Sequence, residues 1–177
     1  MAKTKWALDP AHSSVDFSVR HMMIANVKGT FNSFNAVIEA DPADLTTASI
    51  EFTVETSSVD TRNADRDGHL VSADFFDVEN HPTMTFKATN IEKTDEGEYK
   101  VTGDLTLRGV TKQETFEVTF EGQGKDPWGN EKAGFSATGS LNRSDYGLVW
   151  NTALETGGVL VGDKVKINLQ IQAAKAE

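Results

Sequence analysis

The stretch Lys164-Val165-Lys166-Ile167-Asn168-Leu169-Gln170-Ile171-Gln172 alternates apolar and polar side chains without a fault. A period of two sends successive side chains to opposite faces of a β-strand, so Val165, Ile167, Leu169 and Ile171 share one face and the lysines and amides share the other. The pattern recurs throughout the chain. Phe135, Ala137, Gly139 and Leu141 alternate with Ser136, Thr138, Ser140 and Asn142, and Phe116, Val118 and Phe120 with Glu117, Thr119 and Glu121. Tyr99, Val101, Gly103, Leu105 and Leu107 oppose Lys100, Thr102, Asp104, Thr106 and Arg108. Met84, Phe86 and Ala88 repeat it, as do Ile50, Phe52 and Val54, and Val15, Phe17, Val19 and His21. A further strand from Lys28 to Ala40 changes parity between Phe31 and Phe34, which reads as a β-bulge near Asn32 to Asn35.

Turn residues stand between these segments: Asp41-Pro42, Asp95-Glu96-Gly97, Arg108-Gly109, Asp126-Pro127-Trp128-Gly129-Asn130 and Gly162-Asp163. The strands are therefore expected to follow one another mostly as antiparallel neighbours. The alternation stops from Arg62 to Asn80. Arg62 to Val71 reads there as a short helix with acids near its start, and Ser72 as the cap of a second turn through Phe76. No repeat and no Pro/Gly/Ser linker divides the 177 residues, so one domain over 1–177 is expected. Eight amphipathic strands with one helical insert around 62–76 predict an all-β fold, an eight-stranded antiparallel barrel. In a two-sheet sandwich the inward faces would be uniformly bulky. Here Gly103, Gly139, Ala88 and Ala137 interrupt the phenylalanines, either as bends that let the sheet curl or as vacancies in the bore.

Charge and composition remove several classes of function. With 17 Lys and Arg against 27 Asp and Glu, the net charge is −10 and the pI near 4.8, a balance that repels nucleic acid and anionic membrane surfaces. The absence of cysteine removes disulfides, thiolate metal sites and cysteine nucleophiles together. The four histidines, at 12, 21, 69 and 81, form no short-spacing pair, so no metal is expected. No apolar run approaches the roughly 18 residues of a membrane helix. Met1-Ala2-Lys3-Thr4-Lys5-Trp6 leads into no apolar segment, so the expected compartment is the cytoplasm, or the periplasm or extracellular space if the start is a processed one.

The densest ionisable cluster is Asp60, Arg62, Asp65, Arg66, Asp67 and His69, followed by Asp74, Asp77 and His81. An acid and a histidine there, Asp67 and His69, fit general acid and base roles. Equally, alternating acids and arginines fit a solvated helix face laced with ion pairs. His21 falls by parity on the apolar face, as a core histidine or a polar contact for a ligand. Gly122-Gln123-Gly124-Lys125 is followed by no helix, so it is not a phosphate loop. Ten Phe, three Trp and four Met supply either a filled core or the wall of an apolar ligand site.

Several segments, in order, resemble the YceI-like family of lipocalin-like proteins that bind polyisoprenoids. They are Leu8-Asp9-Pro10-Ala11-His12-Ser13, Val19-Arg20-His21-Met22, Ser58-Val59-Asp60-Thr61, Arg66-Asp67-Gly68-His69-Leu70, Asp74-Phe75-Phe76-Asp77-Val78 and His81-Pro82-Thr83-Met84-Thr85-Phe86. Val101 to Thr111 and Asn142-Arg143-Ser144-Asp145-Tyr146-Gly147-Leu148 complete the set. The resemblance implies an extended lipocalin-like barrel whose channel holds an isoprenoid, a quinone-like lipid or a fatty amphiphile. It also implies a homodimer, often exported, and it carries over no catalytic residue and no other cofactor. The expected function is non-catalytic binding, transport or storage of such a lipid. The expected channel lining is Phe17, Val19, His21, Phe31, Phe34, Ile38, Phe52, Val54, Phe86, Leu105, Leu107, Phe135 and Leu141. Arg66 and His69 are the rim candidates for a headgroup, with the insert as rim or lid. The alternatives are an enzyme on a hydrophobic substrate using Asp67 and His69, and a structural or stress-related dimer with a solid barrel.

Overall fold

Alternation forms strands, and their two-sided character decides how they associate: apolar faces turn inward only if the sheet closes or stacks. The computed structural model describes residues 3–22, 24–41, 44–151 and 161–176. The strands are β1 (Thr4–Leu8), β2 (Ser14–His21), β3 (Ala25–Phe31), β4 (Phe34–Asp41), β5 (Asp44–Glu55), β6 (Val59–Asp60), β7 (Thr83–Asp95), β8 (Glu98–Leu107), β9 (Val110–Lys125), β10 (Glu131–Asn142) and β11 (Val161–Lys175). The α-helix α1 (Ala64–Leu70) lies between β6 and β7. The strands β1-β4-β5-β7-β8-β9-β10-β11 are neighbours in that order, and β11 pairs again with β1, which closes an eight-stranded antiparallel barrel. From another part of β11, the strands β2, β3 and β6 continue the sheet outward.

The double use of β11 depends on a corner in the chain. Ala173, Ala174 and Lys175 pair with β1, whereas Val165 to Gln170 pair with β2. Between them Asp9 caps the turn Pro10–His12: its Oδ1 accepts the Ala11 N–H at 3.1 Å and its Oδ2 meets His12 Nδ1 at 2.8 Å. These contacts hold the Asp9 carboxyl below the usual carboxylate range, with the His12 hydrogen bond the largest cause. The Ser13 hydroxyl donates to the Gln172 carbonyl and accepts the Gln172 N–H, standing in for a ladder pair at the bend.

A second corner corrects the expected strand from Lys28 to Ala40. It is two strands, β3 and β4, broken at Asn32 and Ser33, and not one bulged strand. The Asn32 N–H goes to the Ser58 carbonyl at 3.2 Å, and the Ser33 carbonyl takes the Glu55 N–H at 2.9 Å. Before the break the chain pairs with β2 and β6; after it, with β1 and β5. Gly162-Asp163 is also corrected: it lies inside β11, where the register to β2 slips between Val161 and Val165, and makes no hairpin. Pro42 of the expected Asp41-Pro42 turn lies outside the described residues. At Arg108-Gly109 both residues are left-handed, φ 52° and 76°, the twist that a two-residue hairpin requires.

Within α1, Asn63 Oδ1 accepts the Arg66 N–H at 3.0 Å, an N-cap. Past Leu70 the chain runs in turns, as expected through 72–76: the Ser72 hydroxyl accepts the Asp74 N–H at 3.3 Å and the Ser72 carbonyl the Phe75 N–H at 3.0 Å, which drops Phe75 and Phe76 into the core. The glycines of the bore turn out to accommodate rings. A Cβ on Gly139 would stand 2.5 Å from Phe116 Cδ1, and one on Gly103 would stand 2.6 Å from Phe86 Cζ. The two rings meet edge to face at 5.1 Å. Room left by the glycines is thus occupied by phenylalanine, and open space lies elsewhere in the barrel.

Arg143 is 5% exposed and spends its guanidinium on four carbonyls: Gly162 from Nε at 2.8 Å, Leu148 and Trp150 from Nη1 at 2.7 and 2.9 Å, and Val161 from Nη2 at 3.2 Å. Burial pulls its pKa below the ordinary arginine value, opposed by the charge of Asp163. Replacing Arg143 by Met should cost at least about 3 kcal/mol in urea denaturation, because several partly buried carbonyls lose their donors. Arg143→Lys should recover only part, since an ammonium cannot reproduce the planar fork. In the same assay Gly139→Val should cost about 1–3 kcal/mol by overpacking against Phe116, despite the better strand propensity of Val. The control Gly124→Ala, where nothing lies within 4 Å of the added Cβ, should stay within about 0.5 kcal/mol of the parent.

Candidate functional site

In a filled barrel, inward apolar side chains are fully buried. Along β11 they are not: Val165, Ile167, Leu169 and Ile171 all point inward yet remain half-buried, between exposed Lys164, Lys166, Asn168 and Gln170. On β9, Phe116 and Val118 behave the same way. The surface they keep faces two internal cavities. An outer cavity of about 500 Å³ lies beneath α1 and residues 148–150, and an inner one of about 210 Å³ lies within the closed ring. The outer volume is within the range of small-molecule sites, about 300–1,000 Å³.

Of the residues expected along the channel, Phe17, Val19, His21, Phe31, Leu107 and Leu141 line the outer cavity, with Arg66 and His69 in its wall. Ile38, Phe52, Val54, Phe86, Leu105 and Phe135 line the inner cavity, and Leu141 reaches this one as well. Phe34 is the exception. As the first residue of β4, just past the break at Ser33, it lies in neither wall and stacks on Phe52 with centroids 6.0 Å apart. Sequence reading missed Arg143, Trp150, Thr61 and Asn63, which reach the outer wall from irregular segments where no periodicity marks a face. It also passed over Val15, Met84 and Ile167, although their alternation had placed them inward.

The two cavities differ chemically. In the wall of the inner one, Thr85 and Tyr99 are the residues with polar side-chain groups among otherwise aliphatic and phenylalanine side chains. Its far end rests on a separate cluster built on Trp6, Ala40, Leu45, Ala133 and Ala173. The outer wall adds Arg20, His21, Asp65, Arg66, His69 and Arg143 to an apolar surface. Arg66 is held by Thr61, which accepts from Nε at its hydroxyl, 2.8 Å, and from Nη2 at its carbonyl, 2.7 Å. The His69 ring stands edge-on to Phe75 and Trp150, with centroids 4.9 and 4.7 Å away. Its Nε2 is 2.9 Å from Asp74 Oδ2.

Asp67 and His69 are therefore not brought together as an acid and base pair. Asp67 Oδ1 accepts both the Thr61 N–H, at 2.9 Å, and the Thr61 hydroxyl, at 2.5 Å. The carboxylate that meets His69 belongs to Asp74 and is exposed. Behind the cavity, fully buried Tyr146 donates to Glu114, and burial together with that bond pushes the phenol pKa up. Among the described residues no group of three or more His, Asp or Glu is placed to hold a metal ion, and no helix is long and apolar enough to cross a membrane.

Residues 6–173 match the YceI-like domain. A UPF0312 protein of Staphylococcus epidermidis is 44% identical over 164 residues, 92% of this chain and 93% of that one. One of Staphylococcus aureus is 40% identical over 175 residues, 98% and 99% of the two chains. Among solved structures, Burkholderia cenocepacia BcnA superposes with a TM-score of 0.82 at 25% identity, covering 93% of this chain and 98% of its own. The Campylobacter jejuni YceI protein superposes with 0.77 at 36% identity, covering 89% and 90%. A polyisoprenoid binding domain from Saccharophagus degradans has the same fold, with a TM-score of 0.72 at 12% identity and coverage of 98% and 99%. With the family matched over residues 6–173 and relatives at 40% identity or more, the chain belongs to the YceI-like domain family.

Proposed function

We propose that this protein binds a long apolar isoprenoid or similar amphiphile without acting on it chemically, as carrier or store, the tail running inward from the outer cavity. The observation that carries this reading is the row of inward apolar side chains on β11 that face open space instead of one another. An isoprenoid tail offers no hydrogen-bonding group, so shape and exclusion of water are what hold it. Each buried CH₂ contributes about 0.8 kcal/mol, so a tail of several isoprene units gains on the order of 10 kcal/mol before ordering costs. The polar end remains at the outer cavity, where His21, Arg66 and His69 offer it donors. A quinone-like ring fits the same scheme, since the edge-on cluster of His69, Phe75 and Trp150 offers flat aromatic contact. The family membership and the polyisoprenoid binding domain of like fold support a lipid-binding barrel. The working unit is a homodimer in this reading.

Native mass spectrometry and organic extraction of the purified protein should release a long-chain amphiphile, and the stripped protein should bind prenols with micromolar or tighter affinity. Absence of both results sinks the proposal, and a changed lipid product on prolonged incubation would turn it into an enzyme. His69→Ala should weaken an alcohol- or quinone-headed prenyl ligand by about three- to tenfold, the worth of one hydrogen bond or ring contact. The same variant should change the affinity for the plain hydrocarbon squalene less, as read by displacement of an apolar fluorophore. Equal loss for both would place His69 away from the headgroup.

A further inference from the structure

The two cavities meet at a ring of four side chains that lines both: Val15 on β2, Met84 on β7, Leu141 on β10 and Ile167 on β11. Leu141, Ile167 and Val15 come from the neighbouring strands β10, β11 and β2, and Met84 from β7, which β8 and β9 separate from β10; together they form a waist between an outer chamber of about 500 Å³ and an inner one of about 210 Å³. The four differ in freedom. Val15 and Ile167 are β-branched and stiff about χ1. Leu141 and Val15 are packed to 8% and 6% exposure. Met84 is half-buried, unbranched and has three rotatable bonds ending in a polarizable thioether, so it adapts at low cost. Beside it on β5 stands its strand partner Val54, packed to 6% exposure, so of this pair Met84 is the one with freedom to move.

The geometry points to Met84 as the gate that sets which tail lengths this protein prefers. This rests on the lipid-binding reading and adds to it a length rule. At roughly 30 Å³ per small group, the share of a water molecule in the liquid, the outer chamber takes a tail of about farnesyl length. The inner chamber takes about one isoprene unit more, so a geranylgeranyl tail has to pass the waist and displace the Met84 thioether. A farnesyl tail fills the outer chamber up to the thioether without having to displace it.

Stripped protein titrated with geraniol, farnesol and geranylgeraniol against an apolar fluorophore tests this. For the parent, affinity should rise at each step. For Met84→Trp, which blocks the waist, the ratio of geranylgeraniol to farnesol affinity should fall at least tenfold; for Met84→Ala it should rise or hold. An unchanged ratio in Met84→Trp overturns the gate while leaving the lipid-binding reading intact, whereas failure of every prenol to bind the parent overturns both. A readout on the parent protein itself comes from labelling with methyl-¹³C methionine, because Met84 is the methionine that lines these two cavities among the described residues. Its methyl resonance, assigned by its loss in Met84→Leu, should move with geranylgeraniol more than with farnesol. Equal shifts with both ligands count against the gate.

Discussion

Everything in this barrel depends on β11 having two partners along one edge. Its last residues close the ring on β1, and its middle pairs with β2, so the same strand seals one end of the bore and holds the other end open. A strand offers a single row of hydrogen-bonding groups on each side, and those groups must be paired once they leave water. The chain meets that demand at the Asp9 to Ser13 corner, where a serine hydroxyl takes over the Gln172 backbone groups as one partner strand gives way to the next. The matching break at Asn32 and Ser33 lets β3 stay with β2 while β4 returns to the ring.

This division distributes the interior. Where the ring is closed, small side chains at Ala40, Ala133 and Ala173 pack with Trp6 and Leu45 into a floor. Midway, Gly103 and Gly139 make room for the rings of Phe86 and Phe116, which meet edge to face. Toward the outer end β11 has exchanged β1 for β2, and the insert brings down Phe75 and Phe76 as part of the outer cavity wall. The result is a graded bore: a packed base, an apolar inner chamber, then an outer chamber whose wall carries charge. A ligand with an apolar tail and a polar end matches that gradient in one orientation only.

The polar residues near the opening serve architecture before anything else. Arg143 is committed to four carbonyls, Arg66 and Asp67 to Thr61, and Asn63 to the helix N-terminus. Motif residues of this kind are read from sequence as chemistry, and here they hold the insert and the 148–150 segment over the cavity. His69 stands apart from them, set between two aromatic rings with an exposed carboxylate as partner.

The sequence alone determined the long strands, their inward faces and the position of the insert, because alternation is a local property that a pleated backbone obeys wherever the sheet goes. It therefore also placed Phe17, Phe52, Leu105 and Ile167 on the side of the bore, and the family motifs pointed to a barrel that binds lipid. Alternation did not mark the short β1 that closes the ring, nor that β2 stands outside it. It did not separate a bulge from a break at Asn32, since both produce the same parity change, nor reveal that Gly162 lies within a strand. Tertiary structure decided which inward residues touch one another and which face space. That choice turns on strand register, on ring volumes at the glycines and on which partner β11 takes along its length, and none of these leaves a mark on the alternation.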